Sequence, residues 1–424
     1  MTHLPPSYGL GTHAIHHGEG ADSLGSHLQP IYQTSTFAFP DVDTGTAIMT
    51  GQQPGYAYTR ASNPTIDLLA YKYALLEGIG LLRANPQADP ATLFKATLFA
   101  SGMAAISSAI LARVRAGETL LVQRPLYNSA YTYFTDILPR LGIETVWVED
   151  FTPEGWAAAI EANSKASLVY IETPSNPGLT VVDIAAVVEI ARRHNLWVMA
   201  DNTFATPFCQ RPLELGVDVV AHSATKYLTG HGTHLSGVVV SPHVEWMTKE
   251  LDLLLKSHGG APSPFDCWLG NLGIKTFALR MERHCANAMA VAKYLSSHPK
   301  VADVRYPGLE SDSGHATAKK QMSHFGGMLA FELKGGAEAA KKLLPLMRTA
   351  AIAASLGNVD SLIQLSSTMN YSGVPLDVQT RMGITPGLVR YSLGIEDTAD
   401  ILDDLDQALS KIQSSVISPL ITDD

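Results

Sequence analysis

Cysteine is scarce and unpatterned in this chain. Cys209, Cys267 and Cys285 are odd in number and widely spaced, with no C-x-x-C pair. Neither a disulfide framework nor a thiolate zinc site fits them, and a reducing cytoplasm is the expected location. Charge is also thin: Asp, Glu, Lys and Arg make up 17% of the chain, and the formal net charge of −10 comes without any stripe of cations. Nucleic acid is therefore excluded as a partner, because phosphate binding needs clustered Lys and Arg. No apolar run reaches spanning length, and Met1-Thr2-His3-Leu4-Pro5-Pro6 forms neither a basic nor an apolar leader region. No membrane role is expected. Histidines gather at His13, His16 and His17 and at His231 and His234, but without a carboxylate or cysteine at ligand spacing. They are expected as loop or substrate-side residues, and no metal site is expected.

Apolar residues are plentiful, at 46% of 424 positions. A chain of that length buries a large core in two domains rather than one, and so little charge over so much apolar area favours a homo-oligomer. Residues 1–62 show little periodicity and many Gly, Pro, Ser and Thr. They are expected to form an extended arm that packs on a neighbouring subunit. Over residues 63–265, seven short apolar runs alternate with helical patterns: Ala96–Ala100, Thr119–Val122, Thr145–Val148, Leu168–Ile171, Leu196–Ala200, Val217–Val220 and Val238–Val240. This alternation predicts an α/β domain built on a mostly parallel seven-stranded sheet, with Val182–Ala191 as a crossover helix. Residues 266–424 begin with a helical stretch, Leu279–Leu295, followed by strand-like runs at Met328–Leu333 and Leu388–Leu393. A smaller α+β C-terminal domain is expected there, and Asn85–Asp89 is expected to be a surface insertion.

Ligands of such sheets lie beyond the carboxyl ends of the strands, so the residues that end each run carry the chemistry. Lys226 follows the sixth run in His222-Ser223-Ala224-Thr225-Lys226-Tyr227 and stands far from other charges. A desolvated lysine there is suited to hold a carbonyl as a Schiff base, typically that of pyridoxal phosphate, with Ser223 and Thr225 as phosphate ligands. The same residues also satisfy the S-x-x-K pattern of serine acyl-enzymes, but the companion S-D-N and K-T-G motifs are missing. A lysine that only caps a strand is the plain alternative. Ser101-Gly102-Met103 after the first run is either a helix-terminal anion site or an ordinary turn. Tyr127 after the second is either a ring that stacks on a flat cofactor and moves a proton, or a core tyrosine. Asp201 after the fifth is a carboxylate at the end of a buried strand. Such a group needs a cation, and a protonated pyridine nitrogen is one.

Together with Tyr58-Thr59-Arg60-Ala61-Ser62-Asn63-Pro64-Thr65, Glu172-Thr173-Pro174-Ser175-Asn176-Pro177 and Leu388-Val389-Arg390, these segments resemble the Cys/Met-metabolism family of pyridoxal-phosphate enzymes. The resemblance covers most of the chain and implies the type I aminotransferase fold. It implies that Lys226 carries the cofactor, that Asp201 pairs with its pyridinium and that Tyr127 stacks on its ring. Gly102, Met103, Ser223 and Thr225 would hold the phosphate, joined by Tyr58 and Arg60 from an adjacent subunit of a dimer of dimers. Asn176, Ser355 and Arg390 would take the carboxylate of a small amino-acid substrate.

Family members that act on cystathionine place a Glu and an Arg where this chain has Ala354 and Thr132, so both distal charged anchors are expected to be absent. The resemblance therefore implies a carbon–sulfur lyase acting by γ-elimination on methionine or homocysteine-like amino acids. The alternatives are O-acetylhomoserine or O-succinylhomoserine sulfhydrylase chemistry, cystathionine γ-lyase or γ-synthase activity and, remotely, a non-catalytic cofactor-binding protein. Methionine γ-lyases typically have a Cys where Ser129 stands and a Lys-Asp pair where Leu255-Lys256 stands. Sulfhydrylases often have Asn-Val-Gly in place of Ser355-Leu356-Gly357.

Overall fold

The computed structural model describes residues 4–20 and 24–412. All seven expected runs are strands of one sheet: β1 (Lys95–Phe99), β2 (Thr119–Gln123), β3 (Glu144–Val148), β4 (Ala166–Glu172), β5 (Trp197–Asp201), β6 (Val219–His222) and β7 (Gly237–Ser241). Their order is β1-β7-β6-β5-β4-β2-β3. The neighbours from β6 through β5, β4 and β2 to β3 pair in parallel, whereas β7 runs antiparallel to both β6 and β1. The reversal follows from the connection. Residues 223–236 return the chain directly without a crossover helix, and a direct return gives an antiparallel neighbour.

The sheet is covered on both faces, which is why its strands read as unbroken apolar runs. Val169, Ile171, Val198, Ala200, Val220 and Val238 join one core, while Leu168, Tyr170, Met199, Val219, Ala221 and Val239 join the core on the other face. That alternation is the two-residue period of a strand. The expected crossover helix spans Ile184–Arg193 between β4 and β5. Asp183 caps it by accepting the Ala186 N–H at 3.0 Å, and Arg192 and Arg193 lie in its last turn, where cations suit the helix dipole.

The second sheet has the order β10-β11-β12-β9-β8. Its strands are β8 (Val301–Arg305), β9 (Met328–Leu333), β10 (Ala351–Ile352), β11 (Leu362–Leu365) and β12 (Val389–Ser392). The sequence announced only β9 and β12. An edge position leaves β8 partly exposed, β10 is two residues long and exposed, and Gln364 interrupts the apolar run of β11. The long helix is Phe277–Ser297, and its Ala288, Val291, Ala292 and Leu295 enter the core of this sheet. The core on one face of the large sheet also takes in Cys267, Phe277, Met281, Met328 and Leu388, so residues beyond 265 pack against both sheets.

The N-terminal segment is less uniformly extended than expected. It contains helices at Leu10–His16 and Val42–Met49. His13 and His16 are therefore helical rather than loop residues, and His13 is buried. Residues 85–87 and 89 are exposed, in keeping with a surface insertion.

Candidate active site

The carboxyl ends of β2, β4, β5 and β6 open on a cavity of about 400 Å³. Ten of the twelve predicted site residues line it: Gly102, Met103, Tyr127, Asn176, Asp201, Ser223, Thr225, Lys226, Ser355 and Arg390. Tyr58 and Arg60 do not line it. Tyr58 is 47% exposed, the Arg60 guanidinium lies 5.3 Å from the Tyr58 ring centre, and Arg60 Nη1 donates to the Lys256 carbonyl.

One wall is the start of the Gly102–Arg113 helix. Ser101 Oγ accepts the Ala104 N–H at 3.1 Å, so the N–H groups of Gly102 and Met103 open the helix ahead of its first internal bond. A Cβ on Gly102 would come within 2.7 Å of Ser223 Cβ and 2.9 Å of its Cα. Only glycine lets the helix start approach the Ser223 loop this closely. The loop is fixed in turn. Ser223 N donates to Thr203 Oγ1 at 2.9 Å, and Thr225 Oγ1 exchanges hydrogen bonds with Ser236 N and O at 2.9 and 3.1 Å.

Lys226 Nζ donates to Ser355 Oγ at 2.9 Å. Burial, aided by the positive charge of Arg390, lowers its pKa to about 8. Ser355 reaches the lysine because Gly357, at φ +74°, packs where a Cβ would meet Tyr227 N at 2.7 Å. Arg390 on β12 is buried. Its Nη1 donates to Asn176 Oδ1 at 3.0 Å and its Nη2 to the Ser355 carbonyl at 2.8 Å, while Nε has no partner among the described residues. The predicted carboxylate ligands thus come together from two different sheets.

Two buried carboxylates stand side by side, on Asp201 and Glu172, which are register partners at the ends of β5 and β4. Burial raises the pKa of both, and the Asp201 charge raises that of Glu172 further. Asp201 has more to hold its charge. It accepts Thr203 N at 2.9 Å and the Tyr170 hydroxyl at 3.4 Å, with His222 nearby. Glu172 accepts Tyr127 N at 2.9 Å and Asn176 N at 2.6 Å, and so fixes the aromatic and the amide together. Glu172 was not among the predicted site residues. The signal that marks Asp201, a polar residue ending a buried strand, marks Glu172 as well.

Sequence reasoning also missed Asn128, Thr203, Phe204, Leu235 and Asn370 in the lining. Thr203 was visible as the residue after Asp201-Asn202, whereas Asn370 had no local signal. Ala354 lines the cavity, and the charged lining residues are Glu172, Asp201, Lys226 and Arg390. Thr132 lies outside the lining and bonds the Asn128 carbonyl at 3.2 Å. His231 bonds the Thr229 carbonyl at 2.7 Å and His234 packs beside Thr229, Thr233 and Ser236, so both support the loop from outside the lining.

Residues 11–410 match the model of the Cys/Met metabolism PLP-dependent enzyme family. The chain belongs to that family. An L-methionine γ-lyase of Fusobacterium nucleatum subsp. polymorphum is 42% identical over 407 residues, covering 96% of this chain and 99% of its own. A cystathionine γ-lyase of Bacillus subtilis is 39% identical over 399 residues, covering 94% and 98%. The crystal structure of cystathionine γ-synthase from Xanthomonas oryzae pv. oryzae, in complex with aminoacrylate and cysteine, superposes with a TM-score of 0.87 at 34% identity, covering 95% and 98%. The fold is thus that of the family's pyridoxal-phosphate enzymes, and the expected fold class holds. Among the described residues no helix is long and apolar enough to cross a membrane, and no group of three or more His, Cys, Asp or Glu is placed to hold a metal ion.

Proposed function

We propose that this enzyme is a pyridoxal-phosphate-dependent carbon–sulfur lyase that acts by γ-elimination on methionine or a homocysteine-like amino acid. The observation that carries the proposal is the convergence of Lys226, Asp201, Tyr127, the Gly102 helix start and the Arg390–Asn176–Ser355 cluster on one cavity. These residues fit the cofactor. The close approach that Gly102 permits sets the start of its helix beside Ser223, and Gly102, Met103, Ser223 and Thr225 all line the cavity, a set of backbone and hydroxyl donors that suits a phosphate. Asp201 offers a buried carboxylate to a pyridine nitrogen, and Lys226 an amine of lowered pKa to an aldehyde.

Pyridoxal phosphate held there would supply an electron-accepting ring to the substrate's α-carbon. Asp201 would keep a proton on its ring nitrogen. Arg390, Asn176 and Ser355 orient the α-carboxylate, Lys226 Nζ takes the α-proton and shuttles it, and the Tyr127 hydroxyl protonates the departing thiolate. With water, methionine then gives a thiol, ammonia and a four-carbon 2-oxo acid. Ala354 in the lining offers no ion-pair partner to the second amino-acid end of cystathionine, which supports a substrate with an uncharged distal group.

Placement of Tyr58 and Arg60 outside their own cavity supports a homo-oligomer, a dimer of dimers, in which they complete a neighbour's phosphate site. Three buried free cysteines support a cytoplasmic location. The relatives that act on cystathionine favour a second reading, in which a thiol replaces the γ-substituent or cystathionine itself is cleaved. Turnover of L-methionine, of cystathionine, and of O-acetylhomoserine with sulfide, each with product analysis, tests the proposal. Activity confined to O-acetylhomoserine with sulfide would replace elimination with replacement.

A further inference from the structure

We infer that Tyr371 is a positioning residue, whose hydroxyl ties the segment carrying Tyr127 to the segment carrying Asn176. Its side chain is fully buried, and its hydroxyl lies 3.1 Å from the Leu126 carbonyl and 3.1 Å from the Asn176 carbonyl. One O–H is shared between two backbone acceptors, as in other three-centre bonds. Leu126 immediately precedes Tyr127, so the bridge spans the two strand-end loops that supply the ring and the substrate-binding amide. Asn370 adds a second tether, since its carbonyl accepts Asn128 Nδ2 at 2.6 Å.

The rest of the surroundings fix Tyr371 itself. Gln379 Nε2 donates to the Tyr371 carbonyl at 2.8 Å, and Tyr371 N donates to the Ser366 carbonyl at 3.1 Å. Burial and the nearby Glu172 hold the phenol's pKa far above its ordinary value, so it remains a donor at every working pH. Glu172 joins the same two segments from the other side through Tyr127 N and Asn176 N. Removing the hydroxyl leaves two buried carbonyls without it and frees the loops to separate. The Asn176 amide and the Tyr127 ring then lose their relative placement.

The inference rests on the cavity being an amino-acid site, as proposed above. Its test uses the holoenzyme and L-norleucine, which has an α-carboxylate and an apolar chain but no leaving group, with binding measured by calorimetry. Tyr371→Phe should weaken norleucine about 5- to 10-fold, the loss typical of one buried hydrogen bond. In an Asn176→Ala background the same change should alter binding by less than about twofold, because the group it positions is gone. A purely structural tyrosine would lower the melting temperature and leave this coupling at zero. Unchanged binding in Tyr371→Phe, or fully additive losses in the double variant, would overturn the inference. If the wild-type holoenzyme does not bind norleucine, the amino-acid reading of the site falls first and this inference with it. Should Tyr371→Phe fail to fold, Asn128→Ala removes the tether to Asn370 and should also weaken norleucine; wild-type affinity there would count against the clamp.

Discussion

Lys226 and Ser355 meet at 2.9 Å, Nζ to Oγ, although 129 positions separate them in the chain. The Ser355 carbonyl also accepts Arg390 Nη2 at 2.8 Å. The Lys226 amine and the Arg390 guanidinium are therefore fixed to one another through a single residue, and the charge of Arg390 helps keep Lys226 easy to deprotonate.

Lys226→Ala should lower turnover by at least ~10³-fold, since the proposed mechanism asks one amine to serve as covalent anchor and proton shuttle. Borohydride treatment of the wild-type holoenzyme should attach the cofactor to the peptide that contains Lys226. Labelling of a different lysine would refute the assignment.

Uptake of pyridoxal phosphate by the apo-protein should accelerate as pH rises through about 8, where Lys226 loses its proton. Only the neutral amine attacks an aldehyde, so the rate follows the deprotonated fraction. Arg390→Ala removes a neighbouring positive charge, which raises the lysine pKa and should move the profile to higher pH. Burial is the larger cause and stays in place, so the movement should be modest. Stopped-flow absorbance over about two pH units either side of the lysine pKa checks both.

Arg60→Ala and Lys226→Ala should each be inactive alone, yet a mixture allowed to exchange subunits should recover part of the activity. Some sites in the mixed oligomers draw both residues from unaltered copies. A monomer with full activity at assay concentration, established by light scattering, would rule out the shared site.

The ratio of kcat/KM for methionine to that for cystathionine should be about 10 or more, because an unpaired charge at a partly buried site costs about 1–3 kcal/mol. Ala354→Glu should narrow the gap by giving the distal ammonium a partner. Arg390→Ala should impair both substrates alike, since they share the α-carboxylate. A wild-type preference for cystathionine would show that the distal pocket has been misread.

Local residue pattern was enough to place the large sheet and many of the residues that line its cavity. Strands buried on both faces must be continuous apolar runs, so all seven were legible, and Asp201, Lys226 and the Gly102 turn stood out as polar or small residues ending such runs. Family motifs then named Asn176, Ser355 and Arg390. The remainder depended on packing between distant segments. Short or edge strands such as β8, β10 and β11 take their register from neighbours rather than from their own pattern, and so gave no signal. Glu172 gained its role only when β4 and β5 aligned it with Asp201 and two loops delivered their N–H groups to its oxygens. Cys209 and Cys285, remote in sequence, lie 3.7 Å apart, sulfur to sulfur, and Tyr371 reaches Leu126 across 245 positions. Contacts of that kind depend on how separately folded surfaces pack together, a property that no local window of residues contains.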